Sequence, residues 1–296
     1  MRKSYLAITM AALIAGAGIA WAVFGMERQT GTGYIGLRIE SSGTVDAAKP
    51  LDVKAPKPVK HKFYTYPTSL GVTSASTDTD GDGVPDVIDA HPNQAGNLCN
   101  VVYRIPYQGK QYVFRLNVTP DYVDVYRFRM PHELKSKGEN VTAFVVRDEP
   151  FVTDLVAQAQ SYAAKDAAVS AEGLLVALVQ SISYNSDAYT GQMEYPKYPI
   201  ETLVDQSGDC EDVSILAVNL IGQLKGYDQA AFVFWGDHMG VGIRQTANQS
   251  ALNASSGAIK DGDRFFVYQE PTDPAWRRGV VPDAYRKKTP VVYRVI

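Results

Sequence analysis

Cysteine is rare in this sequence: Cys99 and Cys210 are the only two among 296 residues, so at most one internal disulfide can form. The sequence also has no block of basic residues and no stretch in which basic and aromatic residues alternate. Its formal net charge is −3, so it lacks the excess of basic residues that nucleic-acid binding requires, and we expect no nucleic-acid partner. The apolar content of 45% is ordinary for a globular protein.

Charged residues are absent from positions 5–26, a run flanked by Arg2-Lys3 and by Glu27-Arg28. A helix of this length extends roughly 33 Å, enough to cross a bilayer. The basic residues ahead of it predict that the N-terminus lies inside the cell. We therefore expect residues 1–26 to be an uncleaved anchor in the cell membrane, with the remainder of the chain outside. The alternative is a signal peptide cleaved near Ala20-Trp21-Ala22 and a secreted protein.

Composition divides the rest of the chain into four parts. The segment after the apolar run is rich in Gly, Ser, Thr, Lys and Pro, which is typical of a semi-extended linker. The predicted parts are a linker at 27–77, an acidic loop at 78–92, a small β region at 97–147 and a larger domain at 148–296.

The acidic loop has the residue spacing of a calcium-binding loop. Carboxylates occupy positions 1, 3, 5, 9 and 12 of residues 78–89, with glycine at position 6, and Ca²⁺ needs six to eight oxygen ligands arranged around such a turn. Pro85 disfavours a helix after the loop, so the stretch resembles a thrombospondin type 3 calcium repeat more than an EF-hand. The predicted ligands of a structural Ca²⁺ are Asp78, Asp80, Asp82, Asp86, Asp89 and the carbonyl of Val84. The alternative is a solvated acidic loop without metal.

The spacing of apolar residues predicts strands and helices in the small β region and in the larger domain. Strands are expected at 101–105, 111–118 and 122–128 in the small β region. Helices are expected at 152–165 and 171–182. Further strands are expected at 229–236, 239–244, 264–269 and 291–295, with a polar loop at 248–262. A tyrosine-rich loop at 194–199 could line a substrate cleft or be ordinary loop packing.

A helix-start signal surrounds Cys210. Asp209 is a suitable N-cap, an apolar-periodic run follows, and Gly226 ends it. A cysteine in the first helical turn lies beside unpaired N–H groups and the positive end of the helix dipole. We therefore expect a lowered thiol pKa, a reactive thiolate and N–H groups that can hold an oxyanion. The alternative is a structural cysteine on a core helix.

A histidine and a carboxylate follow Cys210 at the ends of two predicted strands. His238 comes after the strand at 229–236, and Glu270 comes directly after the strand at 264–269. A nucleophile, a base and a residue that orients the base are the three parts of a catalytic triad.

These pieces resemble the transglutaminase-like superfamily, whose members carry a papain-like Cys-His-Asp triad. The resemblance covers roughly the last half of the chain. The matching stretches are Tyr198–Leu203, Gly208–Asp212, Gly226–Asp228, His238–Gly242, Glu270–Thr272 and Trp276.

The resemblance implies an α+β fold, in which the Cys210 helix packs on an antiparallel sheet, after an N-terminal transmembrane helix and linker. It makes Cys210 the nucleophile and His238 the general base and acid. Glu270 stands where the family has Asp, and Asp237 and Asp273 are the alternative carboxylates. A disulfide to Cys99 would consume the nucleophile, so none is expected. Gln180 is a candidate oxyanion donor.

The function implied is acyl transfer by a cell-surface cysteine enzyme without a catalytic cofactor. Hydrolysis of amide bonds in a protein or peptide outside the cell is the favoured reaction. Protein cross-linking is the second possibility, because both reactions pass through the same acyl-enzyme. The third is a non-catalytic, calcium-stabilised binding or scaffold protein.

Overall fold

The computed structural model describes residues 76–81, 84–89, 91–93, 99–135, 138–187, 195–245 and 257–296. All of these residues belong to one compact unit. The predicted anchor at 1–26 and the linker up to residue 75 lie outside the described residues.

The predicted α+β class is confirmed, because the described residues form α-helices together with an antiparallel sheet. The part of that prediction that placed a transmembrane helix ahead of the core is corrected. Among the described residues, no helix is long and apolar enough to cross a bilayer.

A β-hairpin precedes the helices of the fold. Strands β1 (Cys99–Tyr107) and β2 (Lys110–Val118) pair antiparallel. The turn between them places Gln108 and Gly109 at positive φ, 49° and 75°, the conformation that matches the twist of a two-residue hairpin. Both strands agree with the predicted ones.

The third predicted strand, at 122–128, is wrong: Pro120–Arg129 forms helix α1. Proline fixes a helical φ and needs no N–H partner at a first helical position, and Asp121 in the first turn complements the helix dipole. The alternation of apolar and polar residues also fits a helix here, because Tyr122, Val123, Val125 and Tyr126 are all buried on one side of it.

Four more α-helices follow. The helices predicted at 152–165 and 171–182 are confirmed as α2 (Pro150–Lys165) and α3 (Ala171–Gln180). The tyrosine-rich segment leads into α4 (Pro199–Asp205), which was not predicted. The predicted Cys210 helix is α5 (Cys210–Lys225), bounded by Asp209 and Gly226.

A five-stranded antiparallel sheet supports α5. Its strands are β5 (Ala230–Phe234), β6 (Met239–Arg244), β7 (Ala258–Asp261), β8 (Arg264–Gln269) and β9 (Val291–Arg294), in the order β7-β8-β6-β5-β9. Four of them match predicted strands, while β7 falls in the segment predicted as a loop. Two short strands, β3 (Ser183–Tyr184) and β4 (Ser207–Gly208), pair in parallel just before α5.

The main hydrophobic core contains residues from Val84 to Val295, and a second, smaller cluster includes Trp235, Phe266 and Tyr268. Helix α5 lies at the centre of the main core, since every residue from Glu211 to Gly222 is buried. Val84 and Ile88 of the acidic loop belong to the same core, with 0% and 4% of their surface exposed.

Candidate active site

The start of α5 holds Cys210 in a tightly packed turn. The sequence around it forms a capping box, in which Asp209 and Asp212 satisfy each other's backbone N–H groups. A Cβ on Gly208 would lie only 2.6 Å from the Cβ of Asp212, so the residue before the cap must be glycine. This packing fixes where the first turn of α5 meets the sheet.

The sheet brings His238 and Glu270 together. His238 lies in the turn from β5 to β6, where its carbonyl accepts the Trp235 N–H at 2.8 Å. The register that pairs Val241 with Gln269 places the start of β6 beside the end of β8. The Nε2 of His238 lies 2.8 Å from Oε2 of Glu270, whose side chain is 1% exposed.

Two further side chains hold the Glu270 carboxylate. The Tyr268 hydroxyl donates to Oε2 at 2.7 Å, and the Thr272 hydroxyl donates to Oε1 at 2.8 Å. Burial alone would raise the pKa of Glu270, but His238 and these hydroxyls hold it below its ordinary value. Glu270 is therefore an ionised group that can orient the imidazole and stabilise its protonated form.

A glycine on β6 makes room for the tyrosine that supports Glu270. A Cβ on Gly240 would lie 2.4 Å from the Tyr268 hydroxyl. Neither Tyr268 nor Thr272 was among the predicted site residues. The sequence signal that could have indicated them is their position, two residues before and two residues after Glu270.

Tyr285 covers the imidazole of His238. Their rings stack with centroids 5.1 Å apart and an interplanar angle of 8°, and Tyr285 also stacks on Trp235. Tyr285 is distant in sequence from every predicted site residue, so no local pattern could have indicated this contact.

The environment of Cys210 opposes ionisation. Burial raises the pKa of the Cys210 thiol well above its ordinary value, and the neighbouring Glu211 carboxyl raises it further. The backbone N–H of Met239 donates to the sulfur and lowers the pKa, but its effect is smaller. The expectation that the helix N-terminus lowers this pKa is therefore wrong.

Three carboxyl groups lie close together at the start of α5, beside Cys210. Oxygens of Asp187, Asp209 and Glu211 lie within 4.8 Å of one another, and burial raises the pKa of Glu211 to about 9 with a further contribution from Asp209. One oxygen of Asp209, Oδ1, is buried and has no hydrogen-bond partner among the described residues. Two arrangements can relieve the repulsion in such a group, a shared proton or a bound divalent cation.

A cavity of about 350 Å³ opens in front of these residues. Cys210 and His238 both line it, so the structure places the two predicted reacting groups at one surface. Its remaining lining residues are Leu134, Lys135, Gly138, Tyr184, Ser186, Asp209, Glu211, Phe234, Gly236, Asp237 and Met239.

The structure also shows where the three other candidate site residues lie. The Gln180 amide donates to the carbonyls of Glu270 (2.9 Å) and Trp276 (3.0 Å), which ties α3 to the sheet and leaves no donor for an oxyanion. Asp273 accepts the Ala275 N–H at 2.7 Å. Asp237 lies on the rim of the cavity, with a side chain that is 69% exposed.

The tyrosines predicted as possible cleft residues pack elsewhere. Tyr195 stacks on His132 and donates to Glu201 at 2.9 Å, and Tyr198 is 2% exposed. Among the described residues, Tyr184 is the tyrosine that lines the cavity.

The acidic loop is only partly described, because Asp82 lies outside the described residues. Asp86 accepts hydrogen bonds on both oxygens, from the Thr79 N–H (2.8 Å) and from the hydroxyls of Thr79 (2.6 Å) and Thr77 (2.9 Å). Asp78 accepts the Gly81 N–H at 2.8 Å. Calcium binding by Asp78, Asp80, Asp82, Val84, Asp86 and Asp89 stays a prediction.

No protein-family model and no curated protein sequence matches this chain. The resemblance to the transglutaminase-like superfamily therefore rests on the order of the sequence motifs and stays a prediction.

Proposed function

We propose that this protein is a cysteine acyl-transfer enzyme that hydrolyses amide bonds in peptides or proteins. The observation that carries the proposal is the 2.8 Å contact between Nε2 of His238 and the buried Glu270 carboxylate, beside a cavity that Cys210 also lines. A structural role for these groups would not require an oriented imidazole and a helix-start thiol at one surface.

Acylation begins with attack of Sγ of Cys210 on the substrate carbonyl carbon. Because Nε2 of His238 is bound to Glu270, Nδ1 is the nitrogen left to take the thiol proton. The carbon–sulfur bond forms and the carbonyl becomes an oxyanion, which N–H groups of the first turn of α5 can hold. His238 then gives the proton to the departing amine as the carbon–nitrogen bond breaks.

Water completes the reaction. His238 takes a proton from the water molecule as its oxygen attacks the thioester, and the carbon–sulfur bond breaks. The acyl group leaves as a carboxylic acid and the proton returns to the sulfur. Glu270 stays ionised throughout and stabilises the imidazolium in both half-reactions.

The raised pKa of the Cys210 thiol supports an acylation step that uses general-base catalysis. At neutral pH the resting sulfur carries its proton, so a preformed thiolate–imidazolium pair is not the starting point. Proton transfer to His238 instead accompanies attack on the substrate, as general-base catalysis.

The same raised pKa favours a second candidate function, a non-catalytic binding or scaffold protein. In that case Cys210 is a buried structural thiol, and the His238–Glu270 pair stabilises the turn before β6. The distinguishing property is turnover that depends on the sulfur.

The test uses the full chain with Cys99→Ser, so that one thiol remains. A mixed peptide library is incubated with this protein and, as matched controls, with its Cys210→Ala and His238→Ala variants. We expect new peptide termini, detected by mass spectrometry, only with Cys210 and His238 present. A primary amine added to the same mixture would appear as an adduct if the acyl group is transferred instead of hydrolysed. Equal products with the Cys210→Ala variant, or none with either protein, would overturn the proposal.

A further inference from the structure

A second group of metal-ligating side chains lies far along the chain from the candidate active site. Asp89 and His91 follow the acidic loop, and Asp121 lies in the first turn of α1. One ligand atom from each of the three falls within 4.8 Å of the other two. Nδ1 of His91 lies 3.0 Å from Oδ1 of Asp121.

The two carboxylates of this group are buried, and one oxygen of Asp89 lacks a hydrogen-bond partner within the described part of the chain. Asp89 and Asp121 are 9% and 7% exposed. Oδ1 of Asp89 accepts the His91 N–H at 2.7 Å, while Oδ2 is buried and has no hydrogen-bond partner among the described residues. A buried carboxylate oxygen without a partner is unusual in native structures and commonly marks an ion or a water molecule.

The mixed donor set indicates which class of ion fits. Ca²⁺ takes oxygen ligands, whereas imidazole together with carboxylate suits Zn²⁺ and other first-row divalent ions. Three protein ligands with open positions for water are typical of such sites. The His91 side chain is 63% exposed, so water can reach the remaining coordination positions.

We propose that Asp89, His91 and Asp121 bind one divalent transition-metal ion, with Zn²⁺ as the representative ion, at a site that shares only Asp89 with the predicted calcium loop. The bound ion replaces the hydrogen bond between His91 and Asp121 with two metal–ligand bonds, and it gives Oδ2 of Asp89 a partner.

The site joins two segments that are separate in sequence. Val84 and Ile88 already pack in the core, and the ion fixes the next residues of the loop to the start of α1. The ion would therefore hold these two segments together, and this effect does not depend on the reactivity of Cys210.

The test measures Zn²⁺ binding by calorimetry to the full chain with Cys99→Ser and Cys210→Ser, which removes the sulfur ligands. We expect one site, with at least tenfold weaker binding in the His91→Ala and Asp121→Asn variants. The matched control is Asp78→Asn, which removes a carboxylate of the acidic loop outside the three ligands and should leave Zn²⁺ affinity unchanged.

Two further readouts distinguish Zn²⁺ at this site from Zn²⁺ bound elsewhere on the chain. Zn²⁺ should protect the segment from residue 84 to residue 93 against proteolysis, and His91→Ala should abolish that protection. Co²⁺ bound to the chain with both cysteines intact should lack the absorption band of a thiolate ligand. The proposal is overturned by absent binding, by unchanged affinity in His91→Ala, by equal weakening in Asp78→Asn, or by a thiolate band.

Discussion

The thiol of Cys210 donates a hydrogen bond to the carboxyl group of Glu211, with 3.2 Å between Sγ and Oε2. The thiol predicted to be the nucleophile is thus bound to its neighbour in sequence, while Cys210 lines the cavity together with His238. The dipole of α5 favours a thiolate at this position, but burial and the acidic neighbour outweigh it.

Replacing Glu211 with Gln should lower the thiol pKa. Burial raises the pKa of Glu211 to about 9, which is below the pKa of the thiol, so a negative charge on Glu211 opposes ionisation of the sulfur. The measurement is the rate of alkylation of Cys210 by iodoacetamide against pH, in the Cys99→Ser background. We expect the profile to move to lower pH, with about a tenfold faster rate at a given pH for each unit of pKa. Asp237→Asn, an exposed carboxyl on the same cavity, is the control, and an identical profile for Glu211→Gln would contradict this effect of Glu211 on the thiol.

Changes at Glu270 should reduce turnover in a graded way. Glu270→Gln removes the charge that stabilises the imidazolium, and we expect kcat to fall by about 10²–10⁴. Tyr268→Phe keeps the carboxylate but removes one of its hydrogen bonds, so a loss of about tenfold is expected. The measurement is kcat and KM on a peptide identified in the library. Wild-type kcat in Glu270→Gln would refute an orienting role for the carboxylate.

Glu149 should make stability depend on pH. It caps α2 by accepting the Val152 N–H at 2.7 Å and also accepts the Tyr122 hydroxyl at 2.9 Å, and burial raises its pKa from 4.5 to about 7. The folded state therefore binds this proton more tightly than the unfolded state. Its stabilising contribution is complete below pH 4.5 and is lost as pH rises to about 7, up to about 3 kcal/mol.

Urea unfolding of wild type and Glu149→Gln at pH 5 and pH 8 measures this contribution. Glutamine keeps an oxygen for the Val152 N–H but has no titrating proton. We expect the free energy of unfolding to drop less between the two pH values in the variant, because other groups still titrate. An unchanged drop would show that Glu149 has an ordinary pKa.

The acidic loop should bind Ca²⁺ with a dissociation constant of about 10⁻⁴–10⁻³ M, as single extracellular calcium modules do. Calorimetry on the full chain measures this binding. Asp80→Asn should weaken binding at least tenfold, whereas Asp283→Asn, an exposed acidic residue whose side chain is 87% exposed, should not. The absence of any heat of binding at millimolar Ca²⁺ would show that the loop is not a calcium site.

Helix α5 was predictable because its signals are local. The cap at Asp209, the apolar period and Gly226 are all readable from the sequence, and His238 and Glu270 stand at strand ends that alternation predicts. The proximity of His238 and Glu270 also follows from the strand order, because β6 and β8 are antiparallel neighbours. The start of one such strand lies beside the end of the other.

Features that depend on distant packing were not predictable. Residues 122–128 alternate like a strand, and the helix forms because Pro120 starts it and the core accepts its buried side. Strand β7 has one buried apolar residue, Ile259, and it exists because it pairs with β8. The raised pKa of Cys210 comes from burial, which the sequence around it does not reveal.

The packing of Val84 and Ile88 determines how far the protein can be shortened. A chain that begins at residue 97 would leave the space of these two buried aliphatic side chains empty in the core, and the loss of such a side chain costs about 1–5 kcal/mol. The shortest stable fragment therefore starts upstream of residue 84. Cleavage between residues 93 and 99 would therefore weaken the protein, because Val84 and Ile88 of the acidic loop belong to the same core as α5.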